Sequence, residues 1–309
     1  HAASPICAAL VLGFVLGEPL LSAARRVQWR VDRAYRETFD ARSLATYLPR
    51  PEVEGEVAAL VRGEGSWALH LLGDGGVGKT MTIRYLYSGR LAADLHLPPF
   101  AVARVDFDHL DPRYPDRRPV ELLLALASEL AGFTGSRGAE SQKRRFDDAA
   151  HVLHEQLATP GVAGGDREAL DLAVDSFADF LNELRTPVVL VLDTCEELAK
   201  LHAPGTTVPA IDRTFELLER VHDRAPQMRA LLAGRRWLTP PPDGPQRSGG
   251  LALTDRPYLR VLPVAGFDRR QAEDYLEVRD PGQQISTPLR EALLERAGGY
   301  AAGDMTTFD

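Results

Sequence analysis

Positive charge, cysteine and long apolar runs are all scarce in this chain, and each scarcity removes a class of protein. The 309 residues carry 36 Lys and Arg against 44 Asp and Glu, a formal charge of −8 at pH 7. A general nucleic-acid or anionic-lipid surface needs clustered positive charge, so the balance argues against both and leaves room only for a local basic patch. Two cysteines, Cys7 and Cys195, lie too far apart to suggest a disulfide framework, and no Cys–His cluster has zinc spacing. A reduced thiol in the cytoplasm is the expectation. His151 and His154 stand at i, i+3 with no Cys nearby, and they read as a solvated helix face. The main apolar run, residues 6–16, has eleven residues, whereas a membrane helix needs about 20. Stretching it across residues 5–24 means accepting Glu18 and Pro19 inside it, ahead of Arg25-Arg26. A buried helix is the favoured reading of this segment, with membrane association second.

The rest of the composition is that of a globular protein, 44% hydrophobic and 26% charged. Only three of the 36 basic residues are lysines; with abundant Ala, Leu and Gly, this reads as a GC-rich bacterial genome. The chain opens on His1, and the stretch from Tyr300 to Asp309 looks unfinished, so a piece of a longer protein is expected.

One of those lysines sits in the most informative stretch. Gly73-Asp74-Gly75-Gly76-Val77-Gly78-Lys79-Thr80 is a complete G-x-x-x-x-G-K-T phosphate loop. It follows the apolar run 67–72, a strand, and precedes the helical pattern 81–87 that opens at Met81. Its glycines allow backbone conformations in which N–H groups wrap a phosphate. The helix that follows adds its free amides and positive dipole end. Lys79 would reach the β- and γ-phosphates of a nucleoside triphosphate, and the Thr80 hydroxyl would ligate Mg²⁺.

Strands and helices alternate from there. Strands are expected at 100–107, 188–192 and 228–233, and helices at 52–62, 119–131, 146–157, 170–184 and 211–224. The pattern implies an α/β fold, a P-loop NTPase with a doubly wound parallel sheet. An N-terminal helical segment precedes it, and the start of a C-terminal helical lid follows. The expected boundaries are 1–48, 49–265 and 266–309. Residues 134–145, 158–168 and 239–250 read as surface loops.

Val188–Leu192 is apolar throughout, as a strand buried on both faces should be, and Asp193 follows at its end. Asp193 would hold Mg²⁺ through water, and a carboxylate just beyond it could orient the attacking water. Glu197 is slightly favoured for that role over Glu196; both also suit the first turn of a helix. Arg235, at the end of the 228–233 strand, could contact the γ-phosphate, with Arg236 competing for the role.

The segments 73–80, Leu190-Val191-Leu192-Asp193-Thr194-Cys195-Glu196-Glu197-Leu198 and Leu231-Leu232-Ala233-Gly234-Arg235-Arg236 together resemble the STAND class of AAA+-related signalling ATPases, which includes the NACHT and NB-ARC groups. The acidic pair three and four positions after Asp193 is similar to the NACHT pattern. The resemblance extends over roughly residues 49–280. It implies that Leu48-Pro49-Arg50-Pro51 borders the adenine, and that ADP holds a closed state while ATP permits self-association or signalling to a partner protein. It also implies a Gly-x-Pro motif in the lid, where Gly298-Gly299-Tyr300 has no proline. An ATPase with ATP/ADP and Mg²⁺ as cofactors is the expected activity. The alternative is a P-loop kinase acting on a small molecule, for which Arg113, Arg117 and Arg118 could supply the acceptor site; in a Pro-rich loop they read more simply as a solvated turn. A DNA-acting motor is disfavoured by the acidic balance.

Overall fold

The computed structural model describes residues 31, 34–111, 114–116, 118–158, 165–199, 209–242 and 252–300. The apolar run 6–16 and the end of the chain after Tyr300 lie outside them. Two compact units divide the chain at residues 42 and 43. Within the first, residues 34–42 are helical (α1).

The second unit is an α/β sandwich around one parallel sheet. Its elements are α2 (Pro51–Arg62), β1 (Ala68–Leu72), α3 (Lys79–Tyr87), α4 (Arg90–Asp94), β2 (Ala101–Asp106), α5 (Glu121–Leu130), α6 (Arg137–Ala158), α7 (Gly165–Glu183), β3 (Val188–Asp193), α8 (Pro209–Arg224), β4 (Met228–Gly234), β5 (Leu259–Pro263), α9 (Arg269–Arg279) and α10 (Thr287–Tyr300). The strand order is β2-β3-β4-β1-β5, and the register-paired strands run parallel. β1 and β3 are buried at every residue, which is why neither shows the polar–apolar alternation of a half-exposed strand.

The two faces carry separate cores, because successive side chains of a strand point to opposite sides. One face holds Leu190, Leu192, Ala230 and Leu232 beneath α5–α8, with Phe146, Phe177 and Phe180 among its largest members. The other holds Leu69, Leu71, Val189, Val191 and Leu231 beneath α2, α3 and α4. The sheet is therefore doubly wound, as the alternating pattern implied.

The stretch 134–145, expected to be a loop, is helical from Arg137 onward, and α6 runs 22 residues. Ser136 supplies the missing start signal: its Oγ accepts from the Ala139 amide at 3.0 Å, an N-cap hidden between Gly135 and Gly138. Ala139, Phe146, Ala150 and Leu153 then fall on one buried face, and Phe146 packs on Phe177 of α7 with ring centroids 5.2 Å apart. α7 begins at Gly165, before the expected Leu170, so the loop read at 158–168 narrows at that end. Residues 239–242 carry no helix or strand.

His70, in the middle of β1 beside Leu232 and Val261, is fully buried. Neither ring nitrogen has a hydrogen-bond partner among the described residues. Burial, reinforced by the positive charge of Lys79, lowers its pKa from 6.5 to about 3. Above pH 6.5 the imidazole is neutral in both folded and unfolded chains. Between 6.5 and about 3 the unfolded chain takes up a proton that the folded chain refuses. Stability is accordingly lost as the pH falls through that window, at up to about 1.4 kcal/mol per pH unit from this group. His70→Leu is expected to flatten the fall in urea midpoint between neutral pH and about pH 5; equal slopes for both proteins would show that another group carries the acid sensitivity.

Candidate functional site

The site begins where β1 ends. Past Leu72 the hydrogen-bond ladder continues on both sides: the Val264 amide donates to the Leu72 carbonyl at 2.6 Å, and the Gly73 amide donates to the Gly234 carbonyl at 3.2 Å. A Cβ at Gly73 would lie 2.4 Å from the Val264 carbonyl oxygen, so the close approach of two backbones requires glycine here. The chain then turns through Gly76 and Gly78 at φ of +86° and +101°, left-handed conformations that glycine adopts without cost from a Cβ. The Gly78 carbonyl accepts from the Met81 and Thr82 amides, both at 3.0 Å, and α3 is under way. A glycine-rich turn delivered into a helix N-terminus is a concave anion site. Asp74 and Val77 are half-buried and Gly75 and Gly76 exposed, so the turn is open to a ligand.

Lys79 is buried within this turn. Its ammonium donates to the carbonyls of Gly73 at 2.6 Å and Asp74 at 2.9 Å. Burial lowers its pKa; Glu196, Asp193 and Asp74 oppose the shift, and Arg235 adds to it.

Asp193 closes β3 across the sheet edge. It is 4% exposed. Its Oδ1 accepts from the Thr194 amide at 3.1 Å. Its Oδ2 accepts from an Arg104 guanidinium nitrogen at 3.0 Å and lies 3.4 Å from the Thr80 hydroxyl. Thr194 itself has φ of +59°, and such a left-handed non-glycine residue is characteristic of sites where the surroundings over-determine the backbone. No cluster of three or more His, Cys, Asp or Glu suited to a metal occurs among the described residues. One carboxylate and one hydroxyl fit Mg²⁺, which keeps several waters and takes other oxygens from a bound phosphate.

Glu196 and Arg235 pair at the end of β4. The Arg235 Nε stands 3.2 Å from one carboxylate oxygen of Glu196, and its backbone amide donates to the other at 3.2 Å. The same guanidinium lies against the loop: a Cβ at Gly75 would be 3.0 Å from its central carbon. Glu197 is half-buried, and its amide donates to the Thr194 carbonyl at 3.1 Å. Arg236 is exposed.

Arg50 clasps the loop from the other side. One guanidinium nitrogen donates to the Val77 carbonyl at 2.5 Å, another to the Ala265 carbonyl at 2.6 Å, and the group lies over the Phe267 ring at 5.4 Å. Glu54, buried one turn into α2, accepts from the Arg50 amide and the Tyr47 hydroxyl, both at 2.7 Å. Burial, followed by Glu54, raises the Tyr47 pKa. Pro51 is the exposed first residue of α2.

The structure thus brings Gly73–Met81, Asp193, Glu196, Arg235 and Arg50 to the C-terminal edge of the sheet, where open α/β folds bind ligands. Arg118, offered for a kinase acceptor site, pairs with Asp111 at 3.4 Å and Glu121 at 3.2 Å, and is a satisfied loop residue. Arg113 and Arg117 lie outside the described residues. Three participants were missed from sequence: Arg104, Glu54 and the strained Thr194. The available signal for Arg104 was a charge inside Ala101-Val102-Ala103-Arg104-Val105-Asp106, otherwise apolar until its last residue.

No protein-family model matches the chain, and no curated protein matches its sequence. Similar solved structures include Drosophila ORC bound to DNA, at 18% identity and TM-score 0.44, with 84% of this chain and 53% of that chain covered. The Aeropyrum pernix ORC2 protein, in ADPNP–ADP complexes, is similar at 18% identity and TM-score 0.40, covering 77% and 55%. The E. coli MS115-1 HORMA:CdnC:Trip13 complex gives 14% identity and TM-score 0.34, covering 83% and 76%. The chain spans about half the length of the first two. At these scores the likenesses assign no family, and the site is read on its own geometry.

Gly73→Ala is expected to lower the urea midpoint, through a loss of about 1–3 kcal/mol of stability, the usual cost of overpacking, because the obstructing atom is backbone. An unchanged midpoint would show that β1 and the 263–265 segment separate freely.

Proposed function

We propose that the chain binds ATP and ADP with Mg²⁺ at the 73–81 loop, hydrolyses ATP slowly, and uses nucleotide state to control self-association or signalling, as a STAND-type switch of the AAA+ class. The observation that carries this reading is the convergence of Lys79, Asp193, Glu196 and Arg235 on one glycine-rich loop at the sheet edge. Lys79 would exchange the carbonyls of Gly73 and Asp74 for phosphate oxygens. Thr80 and Asp193 would hold Mg²⁺, which when bound neutralises phosphate charge and orients the chain of oxygens. Arg235, alongside Gly75, would feel whether a γ-phosphate is present.

Between the two glutamates, the geometry supports Glu196 as the carboxylate that orients water, in place of the preference for Glu197. Glu196 is paired with Arg235, and its negative charge acts on Lys79. Arg50 and Pro51 would border the base, with the phosphate domain at 49–265 and a lid from 266 onward. A two-state element biased by γ-phosphate contacts is sufficient for switching.

Lys79→Ala should weaken ADP binding about tenfold or more, the scale of a charge-assisted contact, as read by titration calorimetry; retained affinity would remove the loop from the site. Glu196→Gln should keep binding while slowing ATP turnover about 10²-fold or more. Loss of turnover in Glu197→Gln alone would return the role to Glu197.

A further inference from the structure

Arg104 is unused by the reading above, yet it holds the atom that reading needs most. β2 is the edge strand beside β3, with Arg104 opposite Val191 and Asp106 opposite Asp193 in register. Val102 and Arg104 share the strand face that looks toward α3, since alternate residues share a face and Val102 belongs to that core. Val102 is closed off as core, and Arg104 is the next position toward the site. Its side chain is 17% exposed and that of Asp193 is 6% exposed, so water screens the pair only weakly. The guanidinium takes Oδ2 of Asp193, the same oxygen that lies nearest the Thr80 hydroxyl.

Two cations therefore claim one carboxylate. A hydrated Mg²⁺ lodged between Thr80 and Asp193 would meet a fixed positive charge already bonded to Oδ2, and like charges at such range in a partly dry site repel. We propose that Arg104 competes with Mg²⁺ for Asp193, so that the free Mg²⁺ concentration needed to complete the site is set by an arginine on the neighbouring strand. This rests on the nucleotide-binding reading and deepens it. Arg104 acts through Asp193 and is a positioning residue. With Mg²⁺ bound, the Arg104 guanidinium would give up Oδ2; without it, the guanidinium partners a buried carboxylate that would otherwise lack a full complement of hydrogen bonds. A purely structural arginine would have the opposite signature. Its loss would loosen Asp193 and weaken metal binding.

The test uses the full chain and ADP as probe. ADP affinity is measured in EDTA and across a Mg²⁺ series, for wild type and Arg104→Gln. The Mg²⁺ midpoint is expected to fall roughly three- to tenfold in the variant, somewhat beyond the scale of an exposed ion pair, with affinity in EDTA unchanged. An unmoved or raised midpoint overturns the inference. Arg104→Lys, which keeps a cation and guards against loss of folding in the glutamine variant, should leave the midpoint near wild type; a fall with the charge retained overturns competition by charge. In an Asp193→Asn background, Arg104→Gln should no longer move the midpoint, and a persistent shift likewise counts against the inference. Failure of every protein to bind ADP under any condition overturns the nucleotide reading itself, whereas binding with a fixed midpoint overturns only the role of Arg104.

Discussion

Two backbone hydrogen bonds beyond the end of β1 govern the geometry of the site. Leu72 accepts from Val264 on one side, and Gly73 donates to Gly234 on the other. They carry this inner strand one step past Leu72 while it is gripped by both neighbours, so the loop departs from a fixed point. A turn hung on an edge strand would have only one such grip. The fixed departure explains how a segment rich in glycine, with maximal freedom in the unfolded chain, becomes a defined cradle.

Charge is handled locally around that point. Lys79 is bonded to carbonyls of its own loop, Asp193 to Arg104, Glu196 to Arg235, and Arg50 to the carbonyls of Val77 and Ala265. Each of these charges has a partner within the chain, as desolvation demands of buried ones. The same pairings mean that a phosphate ligand must substitute for contacts that already exist. Net gain on binding is then a difference between two satisfied states.

Much of this was legible in the sequence because the relevant signals are local. The loop could be read from its glycine spacing between an apolar run and a helical pattern, and Asp193 from its place after five apolar residues. What was hidden depends on strand order. Arg104 and Asp193 lie 89 positions apart and meet only because β2 lies beside β3. Arg50 was placed near the base by resemblance, but its reach to Ala265, 215 positions away, is a tertiary fact. The start of α6 failed for a different reason. Gly135, Ser136 and Gly138 have loop composition, and only the Ser136 cap and the buried Ala139 reveal the helix. The contact of Glu196 with Arg235 at the end of β4 is likewise a fact of strand order, which no spacing rule supplies.

The Arg50 clasp has a mechanical consequence. A single planar group is bonded at once to the loop and to the segment that leads from β5 into α9. A guanidinium is rigid, so its two bonds cannot lengthen independently without one of them breaking. A displacement of about an ångström at residue 265 exceeds the tolerance of a hydrogen bond, and the loop must either follow or let go. The clasp thus ties the position of residue 265 to that of the loop through one side chain.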